Sequence, residues 1–349
     1  MKAVNNKSDR VLLSVARLVD FGGSEIVTLE LAEAFDKLGW NVSVATFEVG
    51  DEINGYLKLI HADVYDLSSA SPFPIEVYFD LVWMHHSVTA YDILLNKNIL
   101  IHRAVFSSLS HFEPIESPPL SMLPVDLYLV HSQENFKYFE EHYPLFFQNT
   151  KIFPNPCPLL FWKKNRKRNK RLGLIALISN HIPPELNDLT CMLREVGIIV
   201  DIYGFQGRRV RVTPDIIKKY DCVITIGKTV QYCIAMKTPV FCYDRFGGDG
   251  WLNEENLRIN MEHNFSGRGS RGRVDASILF REILDGYDKS INEIRKIHFC
   301  FKDRLVLECS VEMVVSYVME KPKRCLKNIC YDDFNLLIRQ NKIYRNRFI

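Results

Sequence analysis

Residues 220–248, YDCVITIGKTVQYCIAMKTPVFCYDRFGG, constrain the fold more than any other stretch. An apolar run at 222–226, a glycine turn, a short helical segment at 229–236 and a second apolar run at 239–243 read as strand, turn, helix and strand. Two buried strands joined by one short helix make a βαβ unit of a parallel sheet, covered on both faces. Such sheets bind ligands beyond the carboxyl ends of their strands, where helix N-termini offer unpaired N–H groups to anions. The turn Gly227-Lys228-Thr229 sits at one such end and the pair Gly247-Gly248 at the next. A nucleotide-diphosphate pocket is the expectation.

The chain ahead of this unit alternates in the same way. Residues 10–16 (RVLLSVA) form an apolar strand leading into a loop with Gly22 and Gly23. Ser24 then opens a helix whose Ile26, Val27, Leu29, Leu31, Ala32 and Phe35 recur at helical spacing, and Gly39 closes it. Further strands at 41–45, 62–67, 79–84, 104–109, 126–130 and 150–153 follow. Three of them run into histidine, at His85-His86, His111 and His131, so imidazoles gather past the carboxyl ends of one sheet. The glycine spacing is not GxGxxG, which argues against a nicotinamide dinucleotide. A second α/β domain begins at 172–178 (LGLIALI). Beyond the glycine pair, the polar residues 249–273 read as a loop, with helices expected near 276–286 and 291–307.

A chain of 349 residues is comfortable as two domains. The break falls at WKKNRKRNKR, residues 162–171, a basic run without apolar periodicity. The expected organisation is an N-terminal domain at 1–160, a linker at 161–171, a second domain at 172–310 and a basic helical tail at 311–349. A net charge of +2 gives no support to binding of long polyanions, and no nucleic-acid reading module is present, so nucleic acid is not an expected partner. No run reaches the roughly 20 apolar residues of a membrane span, and the N-terminus lacks a signal-peptide core, so a cytoplasmic location is expected. All nine cysteines lie beyond residue 156 without a CxxC pair, the pattern of reduced structural thiols. The basic tail carries Tyr331, Phe334, Tyr344 and Phe348 and suits an anionic membrane surface.

Four segments in order resemble the GT-B glycosyltransferases, most closely the retaining nucleotide-sugar enzymes of bacterial surface polysaccharide synthesis. GGSEIVTLELAEAFDKLGWNVSV is similar to the family's GGAExxxxxLAxxLxxxGHxVxV, and VDLYLVHSQENFKYF to its ADxVIxxSExxxxxL. KIFPNP resembles KIxVIPNGVD, and KTPVFCYDRFGG resembles GxPVVAxDxGG. The resemblance covers about residues 10–310 and implies two Rossmann-like domains facing across a cleft. It implies retaining, metal-independent glycosyl transfer from a nucleotide sugar to a glycan or lipid-linked acceptor, with no cofactor. Carried over, Gly22 and Gly23 lie near the donor diphosphate and the acceptor, His111 touches the donor sugar, and Gly247 and Gly248 face the donor. His85, His86 and His131 are acceptor-side candidates.

The chain departs from the family where a pair of glutamates flanks the donor helix, since Ile224 and Tyr232 stand there. Lys228, with Gly227 and Thr229, and Arg268 are the candidates to meet the leaving diphosphate. Glu254, Glu255 and Asn256 are the candidates for the missing carboxylate and polar contacts, with Glu254 placed among the catalytic residues. The missing glutamates leave a second reading open, a catalytically inactive relative that binds nucleotide sugar or glycan as a partner subunit. A nucleotide-sugar epimerase shares the fold class.

Overall fold

The computed structural model describes residues 9–96, 98–119, 123–163, 169–302 and 304–322. They divide into two compact units. Residues up to 131, 135–153 and from 308 onward form the first, and 132–134 with 154–307 form the second. Half of the basic run at 162–171 and most of the C-terminal tail lie outside the described residues.

The first unit is built on a seven-stranded parallel sheet. Its strands are β1 (Arg10–Ser14), β2 (Asn41–Thr46), β3 (Asp63–Asp66), β4 (Leu81–Met84), β5 (Ala104–Ser108), β6 (Leu127–Val130) and β7 (Thr150–Ile152). They lie in the order β7-β6-β5-β4-β1-β2-β3. Val11 pairs with Val42 on one side and Leu81 on the other, so the sheet is apolar at its centre. The helices are α1 (Gly23–Lys37), α2 (Asp51–Leu59), α3 (Ser87–Leu94) and α4 (Gln133–His142). On α1, Val27, Leu31 and Phe35 recur every fourth residue and are buried, each burial contributing about 1.5–3 kcal/mol. Phe35 meets Trp83 of β4 edge to face. Gly39, at φ +82°, supplies the left-handed residue that ends the helix.

The second unit holds β8 (Leu174–Ile178), β9 (Ile199–Tyr203), β10 (Cys222–Thr225), β11 (Val240–Asp244) and β12 (Gly247–Trp251). The order is β9-β8-β10-β11-β12, with β12 antiparallel to β11 and the rest parallel. Its helices are α5 (Pro184–Glu195), α6 (Lys228–Ala235), α7 (Glu254–Glu262) and α8 (Ala276–Phe301). A last helix, α9 (Leu307–Met319), carries the chain back to the first unit.

Two expectations change here. The segment expected as a polar loop contains β12 and α7. Asn253 caps α7 by accepting the N–H groups of Glu255 and Asn256, and Asn256 accepts the Asn253 N–H in return. Helix α7 is mostly polar, with only Leu257 and Met261 meeting the core, so apolar periodicity could not reveal it. The helices expected near 276–286 and 291–307 are largely one 26-residue helix, α8. Gly286 does not end it; a Cβ there would collide with the Trp251 ring, so glycine serves close packing.

Of the seven cysteines described, Cys157, Cys222, Cys233 and Cys242 are buried, while Cys191, Cys300 and Cys309 are exposed. All seven are free thiols. No described helix is long and apolar enough to cross a membrane.

Candidate functional site

In the second unit the chain leaves β8 toward β9, then crosses back to β10 on the other side. The crevice beyond the carboxyl ends of β8 and β10 is therefore the topological switch point, the ordinary ligand position of such sheets. Ser179, Asn180 and His181 follow β8, and only Ile226 and Gly227 separate β10 from α6. Gly227 has φ +62° and ψ −137°, a conformation open to glycine, and its N–H donates to the Phe265 carbonyl at 2.8 Å. Helix α6 begins at this edge, so the positive end of its dipole lies there.

Polar side chains beneath the edge hold the loops together. Thr225 Oγ1 donates to the Ile178 carbonyl at 2.8 Å. Ser179 Oγ donates to Asp244 Oδ2 at 2.9 Å and accepts the His181 N–H, while Arg245 N–H donates to Asp244 Oδ1 at 2.7 Å. Burial raises the Asp244 carboxyl above its ordinary range, against the opposing pull of these hydrogen bonds. Gly204, at φ +111°, packs so closely on the Ser179 carbonyl that a Cβ would overlap it. The tight turn that results exposes Phe205 beside His181. Arg209 lies 4.9 Å above the Phe205 ring, and Arg245 lies 4.7 Å from the Phe246 ring, which is also exposed. Helix N–H groups, cations and open aromatic faces thus share one edge, an arrangement suited to a diphosphate joined to a planar ring.

Several sequence candidates take other places. Lys228 does not project free: its ammonium donates to the Pro156 carbonyl at 2.6 Å and to Asn155 Oδ1 at 3.1 Å. Thr229 is half-buried in the first turn of α6. Gly247 and Gly248 form the start of β12 rather than an open loop. A Cβ would overlap the Gly272 backbone at Gly247 and the Cys242 carbonyl at Gly248, so both serve backbone packing.

Glu254 and Asn256 stand at the wrong end of the sheet. Strand β12 returns antiparallel, pairing Trp251 with Phe241, and so delivers the start of α7 toward the amino end of β11. There Glu254 meets Lys296 at 3.1 Å, and Asn256 is occupied by its capping bonds and by the Trp251 carbonyl. Glu255 is exposed beside them. Arg268 is paired with Glu134 of the same unit at 2.7 Å. Burial pushes the Glu134 carboxyl up, but Arg268 and His263 bring it below the ordinary value on balance. Arg271 and Arg273 are likewise paired, with Glu282 and Glu185, so the arginines of this segment act as tethers.

In the first unit the switch point lies between β1 and β4. The loop after β1 already contains an anion: Glu25 accepts the N–H groups of Val19, Asp20 and Gly22 at 2.7, 3.1 and 2.9 Å. Gly22 allows that approach, since a Cβ would lie 2.6 Å from Glu25 Oε2, and Gly23 starts α1 in the open. His85, His86 and His131 sit at the expected strand ends but are buried beneath the edge. His85 Nδ1 donates to the Ser107 carbonyl at 3.3 Å, and His131 Nε2 meets Ser107 Oγ at 3.0 Å. His86 Nδ1 accepts the Ala16 N–H at 2.9 Å. Burial lowers the pKa of His85 to about 4 and, with His85 beside it, that of His86 to about 3. Both are neutral supports of the loops. His111 lies past β5, half-buried, stacked on Tyr138 with ring centroids 4.5 Å apart.

Both units have sheets of doubly wound order, parallel but for β12, and the whole-chain comparison agrees. Anabaena HepE, in complex with UDP and glucose, matches at 11% identity and TM-score 0.58, over 90% of this chain and 100% of its own. A Rickettsia africae glycosyltransferase matches at 12% and 0.56, over 90% and 98%. Staphylococcus aureus TarM, in complex with fondaparinux, α-GlcNAc-glycerol and UDP, matches at 10% and 0.52, over 90% and 100%. The chain has the GT-B fold. No family model and no curated protein matches the sequence. The edge of β8 and β10 belongs to the second unit. Among the described residues the second unit also has an open cleft of about 540 Å³ beside Trp251 and Glu282, and the first unit one of about 570 Å³ near Arg10 and Trp40. The position of the sheet's switch point decides for the edge over either cleft. Phe205, Arg209, Arg245 and Phe246 were not among the sequence candidates. Their signal was modest: Phe205 and Arg209 lie in and just past the glycine turn after β9, and Arg245 and Phe246 follow β11.

Proposed function

We propose that this GT-B chain is a glycosyltransferase moving a sugar from a nucleoside-diphosphate sugar to a glycan or lipid-linked acceptor in cell-surface polysaccharide synthesis. The observation that carries the reading is the edge of β8 and β10, where the N-terminus of α6 faces the switch point between Phe205 and Phe246. Fixed N–H groups there meet the negative charge that develops on a departing diphosphate, without reorganising during the reaction. UDP is the first donor nucleotide to test, because HepE and TarM were crystallised with it. Calorimetric titration with UDP, GDP, CMP and dTDP is expected to single out one nucleotide, and F205A to weaken it. Failure of all four to bind overturns the reading.

Retention of configuration and independence from metal belong to the same proposal. They are tested by the anomeric NMR signal of the product and by activity in the presence of EDTA. His111 is assigned to the donor sugar on the family resemblance. Peripheral association with an anionic membrane rests on the basic, aromatic sequence of 321–349. Unchanged sedimentation with anionic vesicles after deletion of that segment removes it.

A second reading, an inactive relative that binds the nucleotide sugar as a partner subunit, is favoured by one observation. Ile224 is fully buried within β10, and Tyr232 stacks on Phe161 in the core at 4.1 Å, so neither glutamate position of the family is available to a ligand. Nucleotide binding without sugar release or transfer from the matching nucleotide sugar selects this reading.

A further inference from the structure

The turn that follows β5 encloses a carboxyl group that the site described above does not use. Glu116 is 6% exposed and belongs to a short helical turn, Pro114–Glu116. Its Oε2 accepts the Ser110 N–H at 2.5 Å, and the Leu109 N–H also bonds to the carboxyl. The residue therefore reaches back across the turn and gathers the backbone on the N-terminal side of His111. Other bonds fix the rest of the turn. Phe112 N–H donates to Ser110 Oγ, Glu116 N–H to the Glu113 carbonyl, and Ser87 Oγ of α3 to the Ile115 carbonyl. His111 is held between Phe112 and Tyr138, with centroids at 3.9 and 4.5 Å. The carboxyl is thus an acceptor at the centre of the turn that carries His111.

We propose that Glu116 is the positioning residue of His111: its buried carboxyl fixes the backbone at 109–110 and so sets the imidazole in place for the donor sugar. The proposal rests on the glycosyl-transfer reading and on the place that reading gives His111. Burial raises the Glu116 pKa to about 8, assisted by Glu113 on the same turn and opposed by the two N–H donors. Among the described residues no cation acts on it: α3 supplies the hydroxyl of Ser87, and α4 places Tyr138 and His142 on the side of His111. The acceptor at work at neutral pH is thus a protonated carboxyl, which an amide can imitate.

Glu116→Gln and Glu116→Ala are compared with wild type in two measurements. The first follows the ring resonances of His111, assigned with His111→Gln, whose shifts report the Tyr138 stack. E116A is expected to move them at pH 7 and E116Q to leave them in place. Between pH 7 and 9 the wild-type resonances are expected to shift as Glu116 ionises, and those of E116Q are not. The second measures transfer: E116A is expected to lose at least tenfold in kcat with donor KM within threefold, and E116Q to restore most of that loss. Unmoved His111 resonances in E116A overturn the proposal, as does E116Q behaving like E116A or titrating like wild type. The NMR arm needs no turnover. If no nucleotide sugar is used at all, the glycosyl-transfer reading fails on its own, and the resonances still decide whether Glu116 places His111.

Discussion

His86 offers the sharpest quantitative test of the first unit, because its role can be separated from its shape. It is 4% exposed, and its Nδ1 accepts the Ala16 N–H, so the proton of the neutral ring resides on Nε2. Burial, with His85 beside it, lowers its pKa from 6.5 to about 3. Below pH 6.5 the unfolded chain binds a proton there that the folded chain refuses, so falling pH favours unfolding. Each pH unit in that window costs about 1.4 kcal/mol. At pH 4.5 the loss from this one group is about 2.7 kcal/mol, and it levels off near the folded pKa. His86→Asn keeps an acceptor for Ala16 and cannot titrate. It carries a constant packing cost but should not share the acid loss. Amide exchange along β1 and β4 reports opening of this unit, and its protection converts directly to free energy. Between pH 7.5 and 4.5 the advantage of wild type over H86N should shrink by about 2.7 kcal/mol, about 100-fold in protection. Parallel curves would refute the reasoning, since they would mean that His86 is protonated in the folded unit at its ordinary pKa.

Two further predictions concern the edge of the second unit. Gly227→Ala meets no atom within 4 Å, so any loss comes from the backbone at φ +62° alone; a cost of about 1–3 kcal/mol is expected by thermal unfolding, with weaker nucleotide binding. An unchanged Tm would show that the turn relaxes freely. Lys228→Met keeps the stem but leaves the Pro156 and Asn155 oxygens unpaired, an expected cost of about 1–3 kcal/mol. If Lys228 mainly staples that segment, nucleotide affinity changes less than threefold. A loss of tenfold or more returns it to the phosphate.

The sheets were legible because buried parallel strands leave an unmistakable trace: short apolar runs bounded by polar residues. The runs at 10–16, 79–84, 104–109, 172–178 and 239–243 all contain observed strands. What escaped was set by contacts rather than pattern. Gly286 reads as a helix terminator, yet it lies within α8 because the Trp251 ring needs the space of its missing Cβ. Helix α7 has a capping signal at Asn253 but little apolar periodicity. The histidine positions at the strand ends were readable. Their burial was not, since it depends on the loops folded over them.

The site was harder to read for a related reason. A sequence search for diphosphate chemistry selects charged residues, and on this chain most of those chosen are engaged elsewhere. Arg268 holds Glu134, Glu254 holds Lys296, and Lys228 holds the segment at 155–156. Even Asp244, at the carboxyl end of β11, spends both oxygens on Ser179 and Arg245. What remains open to a ligand is shaped by backbone: Gly204 turns Phe205 outward, and Gly227 starts α6 directly after β10. If this edge binds a nucleotide, selectivity comes from the geometry of N–H groups and aromatic faces rather than from a carboxylate on the ribose. Substitutions at Gly204, Phe205 and Gly227 should then outweigh those at Glu254, Asn256 and Arg268 in their effect on binding. Gly227 is common to both readings; at the other positions the ranking opposes the one the sequence suggests, and so tests the structural reading against it.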